Sequence, residues 1–175
     1  MSGGRRPVFA GRILSLAIES HRLPDGRSAD FEVVRHPGGA AVLPVLDDGR
    51  VLLIRQFRPV VGGEVLEIPA GRLEPGEAPD ACALRELEEE AGWRAGRLVR
   101  LGATLSSVGF CDERIHLFLA EQLQPVPAAP EADEFITLLP LPLDTALALV
   151  ADGTIVDAKT QLALLLYQAA RTAAE

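Results

Sequence analysis

Cysteine is scarce: Cys82 and Cys111 are the whole complement of the 175-residue chain. Two cysteines build neither a disulfide framework nor a thiolate metal cluster, so a reducing cytoplasm is the expected setting. His21, His36 and His116 are the only histidines, and they show no ligand spacing. No apolar run is long enough to span a bilayer; Leu162 to Tyr167 is among the longest. Nothing after Arg5 and Arg6 resembles the apolar stretch of a secretory leader. Positive charge is in deficit, with a net charge of −8 and a pI of about 4.9. Such a surface repels phosphate backbones, so a nucleic acid is not an expected partner, and with no spanning run neither is a membrane. A small anionic substrate stays open, but an acidic site would need a cation before a phosphate approached it. Internal repeats and low-complexity segments are also lacking.

The patterning reads as mixed α and β. Val8 to Ile18 and Phe31 to Arg35 are β-prone, and His36-Pro37-Gly38-Gly39 breaks the chain. Ala40 to Leu46 and Val51 to Phe57 flank Asp47-Asp48-Gly49, a hairpin signal. Glu64 to Pro69 is a short strand candidate ending at Ala70-Gly71. A helix is predicted from about Pro79 to Ala91, with Pro79 in its first turn, Asp80 complementing the helix dipole and Gly92 just beyond the end. Leu98 to Leu105, Ile115 to Ala120 and Phe135 to Leu139 read as strands. Pro125 to Asp133 reads as a loop, and Thr145 to Ala151 and Ala158 to Ala173 as helices. The pattern predicts an α/β sandwich.

Chemistry concentrates in the first helix. At roughly 100° per residue, Ala81, Leu84, Leu87 and Ala91 form an apolar stripe, and Arg85, Glu86, Glu89 and Glu90 fill a sector opposite. Glu86 and Glu90 are four apart, so their carboxylates are neighbours, a mildly repulsive arrangement that a cation between them would reverse. Carboxylates are hard oxygen donors, matched to Mg²⁺ or Mn²⁺. A bare glutamate-rich helix face is more often solvated surface, so the surrounding spacing has to decide.

That spacing is Gly71, five residues, Glu77, seven residues, Arg85-Glu86-Leu87, one residue, Glu89-Glu90, one residue, Gly92-Trp93. It resembles the Nudix box at every fixed position; Trp93 stands where an aliphatic residue is usual. The resemblance implies a Nudix α/β/α sandwich with a mixed sheet. It also implies an additional antiparallel β-segment at 1–38, exchanged or packed at a homodimer interface, ahead of a hydrolase domain at 39–175. It assigns Glu86 and Glu90 as metal ligands, Glu89 as a ligand or its support, and the Ala70 carbonyl as a further donor to two or three Mg²⁺ ions. Arg85 would orient the glutamates, Glu77 would hold the loop to the helix, and Glu88 would be solvated.

Segments outside the box resemble the ADP-ribose and nucleoside diphosphate sugar pyrophosphatase branch: Val34 to Gly38, Arg55 to Pro59, Glu67 to Gly71, Ser107 to Glu113 and the acidic stretch Glu131 to Glu134. They imply cleavage of ADP-ribose to AMP and ribose 5-phosphate. GDP-mannose is an alternative substrate, and a non-catalytic nucleotide sensor is an alternative of another kind. Arg58 and Arg55 end a strand, where guanidinium groups suit phosphate oxygens. Arg35 and Glu113 are further candidates for substrate contact or support, as are Glu64 and Glu67. Val108 departs from the branch, which usually carries proline there. The general base is expected on the late acidic loop, with Glu134 first, Glu131 close behind and Asp133 also a candidate.

Overall fold

In the computed structural model, residues 4–130 and 134–173 are described. They form ten strands and three helices in two compact units. Unit 1 comprises Met1–Gly38 with Leu105–Arg114, and unit 2 comprises Gly39–Thr104 with Ile115–Glu175.

Unit 1 carries an antiparallel sheet of β1 (Arg5–Ala10), β2 (Ser15–Arg22) and β3 (Ser28–Arg35). The single strand expected over Val8 to Ile18 is two. Gly11 N–H donates to the Leu14 carbonyl at 2.9 Å and turns the chain between them. Segment 105–114 joins this unit through β3: Val34 bridges Cys111, and Val34 N–H donates to the Phe110 carbonyl at 2.7 Å.

Unit 2 is built around β4 (Gly39–Pro44), which is buried along its whole length. Alternate residues of a strand face opposite ways. Ala41 and Leu43 pack with α2 (Leu143–Ala151) and α3 (Ala158–Thr172), while Ala40 and Val42 pack with α1 (Pro79–Ala91). This is the α/β/α sandwich. β4 pairs antiparallel with β7 (Ala70–Arg72) and parallel with β9 (Arg114–Pro125), and β8 (Trp93–Leu105) follows β9 at the edge. β5 (Val51–Arg58) lies between β6 (Gly63–Glu67) and β10 (Ile136–Leu141) in a second sheet, antiparallel to both.

The Asp47-Asp48-Gly49 turn is present, with Gly49 at φ 84° and its N–H donating to the Leu46 carbonyl at 2.8 Å. It does not make the hairpin expected. Beyond one bridge, Val45 to Val51, β4 and β5 enter different sheets, because each finds longer ladders elsewhere. Among the described residues no helix is long and apolar enough to cross a membrane.

Candidate metal centre and diphosphate site

The amphipathic reading of α1 needs a correction. Ala81 is exposed, and the buried residues are Cys82, Ala83, Glu86, Leu87, Glu90 and Ala91. The buried face therefore includes two glutamates that a hydrophobicity count assigns to solvent. They point inward because the entry to β7 receives them. Ala70 N–H donates to Glu90 Oε2 at 2.8 Å. Glu86 lies so close to Gly71 that a Cβ there would stand 1.7 Å from Glu86 Oε1. Glycine at position 71 is thus required by close approach of a carboxylate to backbone.

Glu86 and Glu90 are only 7% and 4% exposed. Burial raises the carboxyl of Glu90 to about 8; the Ala70 N–H opposes this, and negative charge at Glu86 and Glu134 adds to it. Burial also raises Glu86, against the pull of Arg85 and with a further push from Glu89 and Glu134. The field at these two carboxyls is under-neutralised, which is the condition a bound cation corrects.

Arg85 is the only cation set directly against the helix cluster among the described ion pairs. Its Nε donates to Glu77 Oε1 at 2.9 Å and its Nη2 to Glu77 Oε2 at 3.1 Å. Its Nη1 reaches Glu86 at 2.5 Å and Glu89 at 3.0 Å. Glu77 also accepts the Glu74 N–H at 2.9 Å, so one carboxylate ties the loop before α1 to the helix. Gly92, at φ 69°, closes the helix in the left-handed conformation, its N–H donating to the Glu88 carbonyl. Glu88 pairs outward with Arg94 at 2.7 Å.

A second charged group stands beside the first. Arg58 Nε and Nη2 grip both oxygens of Glu67, at 2.6 and 2.9 Å. Glu67 is 3% exposed and also accepts from Lys159 Nζ. Burial alone would raise the Glu67 carboxyl, but the two cations outweigh it and hold it below its usual value. Arg58 is in turn raised, chiefly by its bonds to Glu67, with Glu90 contributing charge. Arg58 is therefore electrostatically coupled to the glutamate cluster.

Arg55 projects from the opposite face of β5, exposed, with its Nε 3.8 Å from Glu64. The structure thus separates the two arginines. Arg35 and Glu113 lie in unit 1. There Arg35 is bidentate on buried Glu19 and reaches Asp112 at 2.9 Å, and Glu113 faces His36 Nδ1 at 3.3 Å. Val108 is 81% exposed in the same unit. Glu134 is described and acts electrostatically on both buried glutamates; Glu131 and Asp133 lie outside the described residues.

Sequence reasoning passed over Asp157, Lys159 and Thr160. Asp157 caps α3, accepting the Thr160 N–H at 3.0 Å and the Thr160 hydroxyl at 2.6 Å, and pairs with Lys159 at 3.0 Å. Fully buried Thr160 accepts the Ile68 N–H at 2.9 Å. The cap signal, an aspartate before an apolar-periodic run, was available; the partner Ile68, 92 residues earlier, was not.

The donors fit a hard divalent cation: two buried carboxylates, a third half-buried one and a glycine-lined backbone approach. Among the described residues no three acidic, histidine or cysteine side chains already stand grouped at metal-holding distances. Arg85 draws Glu86 and Glu89 to itself, and Glu90 is turned onto Ala70 N–H.

A buried glutamate pair on the inner face of a helix, beside Gly71 of β7 in an α/β/α sandwich, has the chemistry that suits a cation and, through it, a polyanion. The NUDIX domain family matches residues 35–162, so the chain belongs to the Nudix family of hydrolases. Members of this family generally depend on divalent cations. An ADP-ribose pyrophosphatase of Bacillus subtilis (strain 168) is 42% identical over 162 residues, 91% of this chain and 88% of that one. A methanol dehydrogenase activator of Bacillus methanolicus is 39% identical over 159 residues, 90% and 86% of the two chains. A crystal structure of an ADP compounds hydrolase shares the fold, with a TM-score of 0.86 at 21% identity, over 99% of this chain and 95% of that one.

Proposed function

We propose that the protein hydrolyses the pyrophosphate of ADP-ribose, giving AMP and ribose 5-phosphate. The observation that carries this reading is the pair of buried, under-neutralised carboxyls of Glu86 and Glu90, with Glu134 and Arg58 acting on the same cluster. The similarity to an ADP-ribose pyrophosphatase over most of both chains supports the substrate.

Glu86 and Glu90, with Glu89 and the Ala70 carbonyl, would hold two or three Mg²⁺ ions, with Mn²⁺ as a substitute. When bound, such ions supply positive charge that screens the diphosphate and polarises its phosphorus–oxygen bonds. Arg85, anchored by Glu77, orients Glu86 and Glu89. Arg58 grips phosphate oxygens, and Arg55, Arg35 and Glu113 are the remaining candidates for substrate contact. Glu134, with Glu131 as its rival, takes a proton from the attacking water. Water oxygen bonds to one phosphorus, the bridging P–O bond breaks, and the departing phosphate leaves as a monoester.

The reading includes a homodimer formed through 1–38, supported by the apolar side chains that unit 1 exposes at Val8, Phe9, Ile13 and Phe31. A reducing cytoplasm suits the free thiols of Cys82 and Cys111.

The test is release of AMP or sugar phosphate from ADP-ribose, GDP-mannose, UDP-glucose, diadenosine polyphosphates and 8-oxo-dGTP, with Mg²⁺ and with chelator. Fast, chelator-sensitive ADP-ribose turnover is expected, and Glu90→Gln should lose most of it while keeping the fold. Preference for GDP-mannose would move the specificity, and wild-type turnover by Glu90→Gln would remove the metal assignment.

A further inference from the structure

Lys159 is the sole lysine of the chain; every other basic side chain of fixed charge is an arginine. It sits in the first turn of α3, where a cation opposes the helix dipole, and its side chain is only 12% exposed. A residue type used once, at a position unfavourable to its charge, calls for a compensating partner. It has two. Its ammonium bridges Asp157, at 3.0 Å, and Glu67. A compact ammonium with three rotatable donors suits that bridge.

Glu67 is consequently held by two cations at once: Lys159 from α3 and Arg58 from β5. The two are not equivalent. Arg58 is the more exposed, at 37%, and is the one coupled to Glu90. A carboxylate as buried as Glu67 cannot be left without a cation except at high cost. With Lys159 present, Arg58 can turn its charge to another anion while Glu67 stays paired. Without it, Glu67 would keep Arg58.

We infer that Lys159 is a positioning residue for substrate binding: by neutralising Glu67 it frees the Arg58 guanidinium for the diphosphate. This rests on Arg58 being a phosphate ligand. The effect falls on binding rather than on the chemical step, because the hydrogen bonds of the Lys159 ammonium go to Glu67 and Asp157, outside the acidic cluster of α1.

The experiment measures KM, kcat and Tm with Mg²⁺ and whichever nucleoside diphosphate compound turns over fastest. Lys159→Met should raise KM about tenfold and leave kcat within about twofold. Lys159→Arg should recover most of the loss, since it restores the charge. In a Glu67→Gln background, Lys159→Met should no longer move KM, because no buried charge then competes for Arg58. A lysine that merely staples α3 to β6 would lower Tm in the wild-type background and leave KM unmoved. An unchanged KM in Lys159→Met, or a shift that persists undiminished with Glu67→Gln, overturns the inference. Asp157→Asn keeps a good helix cap and leaves the ammonium to Glu67, so it tests the same idea should Lys159→Met not fold. Its KM should not rise, and a rise overturns the inference. Arg58→Ala separates the two layers. An unchanged KM there removes the phosphate reading of Arg58 itself, whereas a raised KM with an inert Lys159→Met removes only the role of Lys159.

Discussion

Replacing Gly71 by alanine should disable the site while sparing the fold. The new Cβ would lie 1.7 Å from Glu86 Oε1, 2.1 Å from its Cδ and 2.6 Å from Oε2. Ordinary contact would require the carboxylate to retreat by about 1.5 Å or more. The retreating atoms are the far end of a rotatable side chain, so relief is available without moving backbone. Stability should therefore fall by no more than about 1–2 kcal/mol, at the low end for an overpacked site. Activity has no such relief, since misplacement of a catalytic group by about 1 Å can cost about 100-fold. Steady-state turnover with Mg²⁺, together with thermal and urea unfolding, separates the two effects. Gly39→Ala is the matched control: its Cβ would meet the Gly71 carbonyl oxygen at 2.6 Å, which is backbone and cannot swing aside. That variant should lose more stability than Gly71→Ala. A Gly71→Ala enzyme within threefold of wild-type kcat/KM would refute the placement of Glu86.

Further outcomes follow from the buried polar groups. Thr160→Val leaves the Ile68 N–H and Asp157 Oδ2 each short of a partner and should cost about 1–3 kcal/mol in urea denaturation; a loss below the error of the fit would argue against the link. Glu67 is held below its unfolded value by Arg58 and Lys159, so its contribution to stability is complete above that unfolded value, near 4.5, and is lost as pH falls through the folded one. Urea midpoints should accordingly drop between about pH 5 and pH 3, and Glu67→Gln should show a shallower drop over that range. Burial raises the Cys82 thiol to about 12, so native protein should yield no more than one reactive thiol to a thiol reagent at pH 8, and two after denaturation.

What could be read in the chain was what lies close along it. Gly71, Glu77, Arg85 and the glutamates after it sit on one short strand, the loop that follows and one helix, where residue spacing is close to distance. The helix from Pro79 to Ala91 came out with its observed ends because Pro79 and Gly92 punctuate it. Its buried face did not, since a wheel that scores glutamate as polar turns Glu86 and Glu90 outward, while the backbone at Ala70 and Gly71 draws them in. The contrast between Arg55 and Arg58 was hidden for a similar reason: the two look alike as charges, and only strand parity and Glu67 distinguish them. The Asp47-Asp48-Gly49 turn was legible, but which ladders β4 and β5 would choose depends on strands far away in sequence. Lys159 was overlooked because its partner Glu67 is 92 residues distant.

The central strand β4 raises a question of alignment. In a sheet with one wet face, a slip by one residue exposes apolar side chains, and hydrophobicity polices the pairing. β4 has no wet face. Interchanging its two sides would leave every apolar residue buried, so greasiness cannot tell the right pairing from the wrong one. Size can. Gly39 faces the Gly71 carbonyl with no room for even a methyl group, and Ala40 and Ala41 follow before the bulkier Val42 and Leu43. The small-to-large gradient of Gly39-Ala40-Ala41-Val42-Leu43 thus acts as a key cut by volume. An enlarged residue at its narrow end should produce mispaired, slowly correcting chains during refolding, even where the finished protein can be coaxed to accept it.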